Sequence, residues 1–148
     1  MDLHRSTPVV AQAQIEIAAS PDVMFDVIAD LKRWPTWNPD VKTMTMDGPL
    51  AEGTTFRWKA GPGTVTSMLR CVEQPRQIGW SGKTLGIHAI HVWCFEAQNG
   101  QTLATTAESW AGWLPSLLPG PMRKQLHKAL DAGLPHLKAE AERRAAAA

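Results

Sequence analysis

The sequence predicts an α+β fold in which an antiparallel sheet of about seven strands is covered by a long C-terminal helix. Three observations predict it. Residues 54–60, TTFRWKA, alternate between apolar and polar side chains, as a strand with one buried face does. Asn99-Gly100 separates two strand-like runs, which is the strongest short-range signal of a β-hairpin. From Met122 onwards, apolar and small residues recur at helical spacing, as on an amphipathic helix.

The chain before the sheet is predicted to form a strand and then a helix. Residues 9–18 end in alternation, and Ser20 and Pro21 then suit the N-cap and the first helical position. We expect this helix to end near residues 33–34, because Pro35 disfavours helical geometry in the residue before it. Runs rich in β-branched and aromatic residues between turn signals predict the remaining strands, at 41–46, 54–60, 64–73, 78–82, 87–97 and 102–112.

Charge and cysteine content argue against several classes of function. The chain carries 15 basic and 14 acidic side chains, a net charge of +1, so no nucleic-acid partner is expected. Cys71 and Cys94 form no metal-binding motif, which predicts no zinc site, no disulfide framework and a reducing, cytoplasmic location. No segment approaches the ~18 apolar residues of a membrane span, so stable membrane insertion is not expected. Nothing in the sequence indicates a cofactor.

Three segments together resemble the START/SRPBCC superfamily, which includes polyketide cyclase/dehydrase-like and pollen-allergen-like proteins. They are IEIAASPDVMFDVIADLKRWPTWNPDV, VEQPRQIGWSG and HAIHVWCFEAQNGQTLATTAESWAG. The resemblance implies a helix-grip fold, in which a curved antiparallel sheet of about seven strands wraps around the C-terminal helix. Two short helices are then expected between strands 1 and 2. It also implies one domain over residues 9–144, a flexible tail at 1–8 and a frayed tail at 145–148.

The Asn99-Gly100 turn predicts the register of the last hairpin. If the turn has two residues, paired positions sum to 199, and His91 faces Glu108 directly. Side chains directly opposite each other project from the same face of a sheet. A carboxylate beside an imidazole orients the ring and raises its pKa, which suits a general base or a binding switch. The alternative is a buried polar pair that satisfies its own hydrogen bonds.

The face that carries His91 and Glu108 is rich in aromatic residues and is the predicted concave side. The resemblance implies an apolar cavity between this face and the C-terminal helix. The indoles either line that cavity or fill the core. The predicted ligand contacts besides His91 and Glu108 are aromatic residues of the sheet and leucines of the helix: Phe56, Trp58, Trp80, Trp93, Phe95, Trp110, Leu126, Leu130 and Leu134.

Three functions remain open at this point. The first is binding or transport of a small hydrophobic molecule in the cavity. The second is a cyclase or dehydratase with His91 as the base and Glu108 as its orienting partner. The third is an interaction module that uses its apolar outer face to bind another protein, or a second copy of this chain in a homodimer. His88 and His91 are three residues apart in a strand, so their rings project from opposite faces and no metal site is predicted.

Two Trp-containing segments flank the predicted cavity. In RWPTWNPD, residues 33–40, Trp34 is predicted to pack inward as a structural plug, and Asn38 to bond local backbone. The segment before the C-terminal helix is WAGWLPSLLPGP, residues 110–121. Three interpretations are open: a lid over the cavity, a contact with a membrane, or a packed loop.

Overall fold

Seven strands form one antiparallel sheet in the computed structural model, which describes residues 1, 7–60 and 63–147. Within the described residues, four α-helices accompany the sheet, and Leu85-Gly86 and Asn99-Gly100 each connect two consecutive strands by a turn of two residues. The strands are β1 (Val9–Ile17), β2 (Val41–Met46), β3 (Thr55–Ala60), β4 (Gly63–Glu73), β5 (Gln77–Thr84), β6 (Ile87–Gln98) and β7 (Gln101–Ala111). Their order in the sheet is β1-β7-β6-β5-β4-β3-β2. The helices are α1 (Pro21–Ala29), α2 (Trp34–Trp37), α3 (Trp113–Leu117) and α4 (Pro119–Ala147). The predicted α+β class, seven strands and two short helices between β1 and β2 are confirmed.

The sheet is curved, with β1 and β2 at its two edges. Register shifts occur in β2 between Val41 and Thr43 and in β4 between Leu69 and Cys71. Bulges of this kind bend a strand and increase its local twist. The segment with α1 and α2 connects one edge to the other, so these helices and α4 lie on the same, concave side.

The β6–β7 hairpin has the register that the Asn-Gly turn predicts. Asn99 and Gly100 both have positive φ angles, 53° and 78°, as a two-residue type I′ turn requires. Gln98 pairs with Gln101, and His91 pairs with Glu108. The predicted sum of 199 therefore holds along the whole ladder.

Helix α1 begins as the sequence predicts. The Ser20 hydroxyl accepts a hydrogen bond from the Val23 backbone N–H at 3.3 Å, and Pro21 occupies the first turn. The prediction for the helix end was wrong in detail. The α-helix stops at Ala29, a 3-10 turn covers 31–33, and Pro35 lies inside the first turn of α2. A proline is tolerated there because the first N–H groups of a helix have no intrahelical partner.

Helix α4 starts three residues before the predicted Met122. Pro119 and Pro121 fall in its first turn, where a missing N–H breaks no hydrogen bond. The backbone N–H of Met122 donates a hydrogen bond to the carbonyl of Leu118. Residues 145–147, predicted to fray, continue the helix, whereas Ala148 lies outside the described residues. The predicted N-terminal tail at 1–8 is described only at its two ends, because residues 2–6 lie outside the description.

The buried apolar residues form two clusters along α4, which packs mainly against β1. The larger cluster joins the second half of α4, with Leu134 and Leu137, to α1, α2 and the sheet. The smaller cluster joins Leu126 and Leu130 to Val9 and Ala11 of β1. The first half of α4 therefore rests on far fewer buried side chains than the second half.

Candidate functional site

His91 and Glu108 meet on the concave face, as the hairpin register predicts. The Nδ1 atom of His91 lies 3.0 Å from the Oε1 atom of Glu108. Both side chains are mostly buried, with exposed fractions of 15% and 14%. Two polar side chains are thus paired and partly accessible on a face that is rich in aromatic residues.

Two further side chains extend this pair into a four-residue network. The Trp110 indole donates from Nε1 to the Oε2 atom of Glu108 at 2.6 Å. The Nε2 atom of His91 lies 2.7 Å from the hydroxyl of Thr106, a fully buried residue. Both ring nitrogens of His91 and both oxygens of Glu108 therefore have a partner. Such mutual satisfaction fixes the orientation of each group.

Burial lowers the pKa of His91, and the neighbouring Glu108 carboxylate offsets this only in part. The predicted increase in the His91 pKa is wrong, because the cost of desolvating a charged imidazole exceeds the gain from Glu108. The ring is then neutral at neutral pH. A neutral ring beside a carboxylate donates from Nδ1–H to Glu108, so Nε2 accepts from the Thr106 hydroxyl.

Aromatic rings surround His91 on the concave face. The ring centroids of Trp80 and Trp93 lie 4.9 Å and 5.7 Å from that of His91. These contacts explain the desolvation of the imidazole. Trp93 in turn lies 6.4 Å from Phe95, which extends the row of rings along β6.

The predicted aromatic ligand contacts lie deep in the larger cluster. Phe56, Trp80, Trp93 and Phe95 are buried there, and Trp58 is half-buried with its indole bonded to Ser67 at 3.2 Å. Their role as ligand contacts stays a prediction. A ligand beside His91 would touch Trp80 and Trp93 first, because these rings are the ones adjacent to the imidazole.

Trp34 packs inward, as the sequence predicts. Its ring lies 5.7 Å from Trp58 and 5.3 Å from Trp80, and its Nε1 donates to the Ile28 carbonyl at 2.9 Å. Asn38 accepts from the backbone N–H of Asp40, which confirms the predicted local bond. This segment closes one end of the concave face as part of the core.

The helix side of the site is split between the two clusters. Leu126 and Leu130 pack with Val9 and Ala11, and Trp110 lies against them. Leu134 belongs to the larger cluster. Together, Trp110, Leu126 and Leu130 form one wall beside the network. On the strand side, Ala11 pairs with Glu108 and is buried in the smaller cluster.

The hairpin register places Thr106 on the same face as His91 and Glu108, but no role for Thr106 was predicted. Its partner, the Nε2 atom of His91, belongs to the diagonal neighbour on β6, since Thr106 itself pairs with Trp93. Diagonal contacts across a sheet depend on twist and rotamer, which a register alone does not specify. The sequence did offer one indication of this contact, because Thr106 is a polar residue two positions from Glu108 on the same face.

Two cavities lie away from the network, and neither is lined by His91 or Glu108. The first, of about 630 Å³, lies on the outer face, and the second, of about 270 Å³, lies around Gln77 and Cys94. Neither is the cavity expected between the sheet and α4. At the network itself, His91 and Glu108 are only 15% and 14% exposed. The first cavity is lined mainly by Met1, Arg70, Ser81, His88, Ile90 and Ser109.

Other chemistry-bearing groups are dispersed. His88 is exposed, whereas His91 faces the concave side. Across the described ranges, no three His, Cys, Asp or Glu side chains group in a way that would hold a metal ion. Cys71 and Cys94 are free thiols, and burial raises the pKa of the Cys71 thiol. Within the part of the chain that the structure describes, no helix combines the length and apolar character needed to cross a bilayer.

The helix-grip arrangement and the sequence itself agree with one family model. Residues 8–142 match the family described as polyketide cyclase / dehydrase and lipid transport. The chain belongs to this family. The match covers the sheet, the concave site and nearly all of α4, so family membership applies to the whole described fold. Among curated proteins, none matches the sequence significantly.

Solved structures of other proteins share the fold of this family member. A START superfamily protein from Mycobacterium smegmatis has a TM-score of 0.78 at 18% identity, covering 90% of this chain and 97% of its own. Hypothetical protein jhp0584 from Helicobacter pylori has a TM-score of 0.83 at 16% identity, covering 94% and 91%. The Zhui aromatase/cyclase from Streptomyces sp. R1128 has a TM-score of 0.76 at 18% identity, covering 91% and 94%. At these identities the likeness establishes the START fold.

Proposed function

We propose that this protein binds a small hydrophobic molecule on its concave face, with the Glu108–His91 pair as a polar anchor. The observation that carries the proposal is a satisfied polar network, partly accessible, on a face made of aromatic and aliphatic side chains. Apolar walls with a few fixed polar groups are typical of ligand sites. The family description, which includes lipid transport, supports the same function.

Entry to this site would occur beside the first half of α4. Leu126 and Leu130 rest on a small cluster with Val9 and Ala11, whereas the second half of α4 packs into the larger core. Segments with few buried contacts open at low free-energy cost. An outward movement of residues 119–130 would open a path to Glu108 without disturbing the packing around Trp34. Amide hydrogen exchange that is faster at 119–130 than at 134–145 would agree with this route.

The ligand is expected to carry a hydrogen-bond donor. Both nitrogens of His91 are occupied, whereas each oxygen of Glu108 accepts one bond and has a second lone pair. A hydroxyl or amine on an apolar scaffold would use that free capacity. A site that bonds a hydroxyl discriminates strongly against the analogue that lacks it.

Binding of 2-naphthol and naphthalene, measured by calorimetry and native mass spectrometry, tests this function. We expect tighter binding of 2-naphthol, by about tenfold, and loss of that preference in Glu108→Gln, because one anchoring bond is worth about 1.4 kcal/mol. Glu96→Gln on the exposed end of the same hairpin is the matched control. Equal affinity for both probes, or an unchanged preference in Glu108→Gln, contradicts the proposed anchor.

A second candidate is a cyclase or dehydratase that uses His91 as its base. It is favoured by the lowered pKa of His91, since a base must be unprotonated at the working pH. The Thr106 hydroxyl would have to turn away from Nε2 for a substrate proton to reach it. Incubation with a poly-β-ketone thioester mimic tests this candidate. Turnover that His91→Gln abolishes while binding persists supports it, and binding without turnover in the native protein excludes it for that substrate class.

The predicted homodimer and the cytoplasmic location stay predictions. The outer face proposed for self-association includes Val92 and Ser109, which are already buried within one chain. Light scattering that gives the mass of one chain would exclude the homodimer. The interaction module would then need a different partner.

A further inference from the structure

Four large apolar side chains are exposed together at one end of the sheet. Leu85 is 82% exposed, Trp113 61%, Leu117 69% and Leu118 43%. Leu85 lies in the β5–β6 turn, and the other three belong to α3 and the residue that follows it. We call these four residues the end patch. Isolated exposed leucines are common, but contiguous groups of this kind mark interaction surfaces.

The end patch is held together by local packing. The indole of Trp113 lies directly over Gly86, where a Cβ atom would come within 2.7 Å of it. The Leu114 backbone N–H donates to the Gly86 carbonyl at 3.2 Å, which ties α3 to the β5–β6 turn. Trp113 and Leu117 are four residues apart on the same side of α3. The exposed apolar atoms are thus presented on a fixed support.

Basic side chains lie near the end patch along the chain. Lys83 precedes the β5–β6 turn, and Arg123, Lys124 and Lys128 are exposed on the early turns of α4. The sequence has no Asp or Glu at 77–95 or at 109–130. Apolar side chains bordered by basic ones are complementary to an anionic bilayer surface, where indoles settle at the level of the headgroups.

We propose that this end of the molecule docks reversibly on anionic lipid bilayers, with the end patch inserted among the headgroups. The basic side chains would face the lipid phosphates, and attraction near an anionic surface adds up over several such charges. This proposal holds whether or not the concave site binds a ligand. An acidic protein or a second copy of this chain would be a different occupant of the patch.

Co-sedimentation with vesicles of phosphatidylcholine alone, or mixed with phosphatidylglycerol, tests the proposal. We expect binding to the mixed vesicles, weakened by salt, and little binding to phosphatidylcholine alone. The double variant Trp113→Ala/Leu117→Ala should lower the partition coefficient by about tenfold, since most of the inserted apolar area is lost. Lys124→Gln/Lys128→Gln should lower it severalfold.

Two controls separate docking from misfolding. Leu50→Ala removes an exposed leucine in the β2–β3 loop, at the opposite end of the sheet, and should leave vesicle binding unchanged. Leu85→Ser changes a residue in an exposed turn and should weaken binding while the melting temperature stays the same. Absence of binding to either vesicle overturns the proposal. The proposal is also overturned if Trp113→Ala/Leu117→Ala binds the mixed vesicles as well as the native protein does. A dimer in light scattering that this double variant abolishes would overturn it too.

Discussion

His91 and Glu108 pair directly across β6 and β7, with Nδ1 and Oε1 only 3.0 Å apart, yet the pKa of the imidazole is lowered. The cause is the aromatic enclosure by Trp80 and Trp93, which removes water from the ring. The contact is therefore a hydrogen bond between a neutral imidazole and a carboxylate. It orients both groups, and it keeps His91 uncharged until the surroundings open.

The first prediction is that His91 makes the fold sensitive to mild acid. Its folded pKa lies below its ordinary value of 6.5, so the unfolded chain binds the proton more readily. The stability that depends on neutral His91 is fully present above about pH 6.5 and is lost as the pH falls towards the folded pKa. Between about pH 7.5 and about pH 5.5, the free energy of unfolding of the native protein should fall by more than that of His91→Gln. Urea unfolding at both pH values measures the difference. Equal losses in the two proteins would exclude His91 as the cause.

The second prediction concerns the buried hydroxyl of Thr106. Thr106→Val keeps the shape of the side chain but leaves Nε2 of His91 without its 2.7 Å partner. Loss of a buried partner costs about 1–3 kcal/mol in the free energy of unfolding. Thr105→Val, on the opposite face of β7, is the matched control and should change stability by about 0.5 kcal/mol or less. If both variants unfold at the same denaturant concentration, Thr106 contributes no such bond.

The hairpin shows why part of the site could be predicted from the sequence. An Asn-Gly turn of two residues specifies every pair in the ladder, and the period of two assigns each side chain to a face. His91 and Glu108 follow from that alone. The aromatic row of Trp93 and Phe95 follows for the same reason, because alternate residues of one strand share a face.

Other properties of the site depend on packing that no local pattern encodes. The direction of the His91 pKa shift requires the positions of Trp80 and Trp93, which come from different strands. The division of α4 into two clusters depends on where Leu126 and Leu130 rest, namely on Val9 and Ala11 at the sheet edge. The periodicity of α4 predicts a buried stripe but not what each leucine contacts.

The third prediction is that Trp34 supports the core, whereas Trp37 contributes less. Trp34→Ala should cost about 3–5 kcal/mol, as removal of a buried Trp does. Trp34→Phe should cost about 1–3 kcal/mol, because the Ile28 carbonyl loses its indole donor. Trp37→Phe is the matched control, since its Nε1 is buried without a hydrogen-bond partner among the described residues. Thermal and urea unfolding compare the variants. A smaller loss in Trp34→Phe than in Trp37→Phe would contradict the role of the Ile28 bond.

The fourth prediction places an acid-sensitive cluster near the end of α4. Hydrogen bonds from Arg143, and then from Arg144, lower the pKa of Glu140 from 4.5 to about 2. The carboxylate is 10% exposed and lies 2.9 Å from the Nε atom of Arg143. Because its folded pKa is the lower one, this stabilisation is present above about pH 4.5 and is lost as the pH falls towards 2.

Glu140→Gln measures that stabilisation directly. It should cost about 1–2 kcal/mol near neutral pH, less than the full pKa shift implies, since the Arg143 side chain is 64% exposed and screened by water. The difference from native protein should shrink as the pH falls towards about 3, because Glu140 of the unfolded chain then becomes protonated while the folded carboxylate stays ionised. Glu96→Gln, which removes an exposed carboxylate from β6, should show little difference at either pH. A Glu140→Gln deficit that persists unchanged in acid would mean that packing by the side chain, and not its charge, stabilises this end of α4.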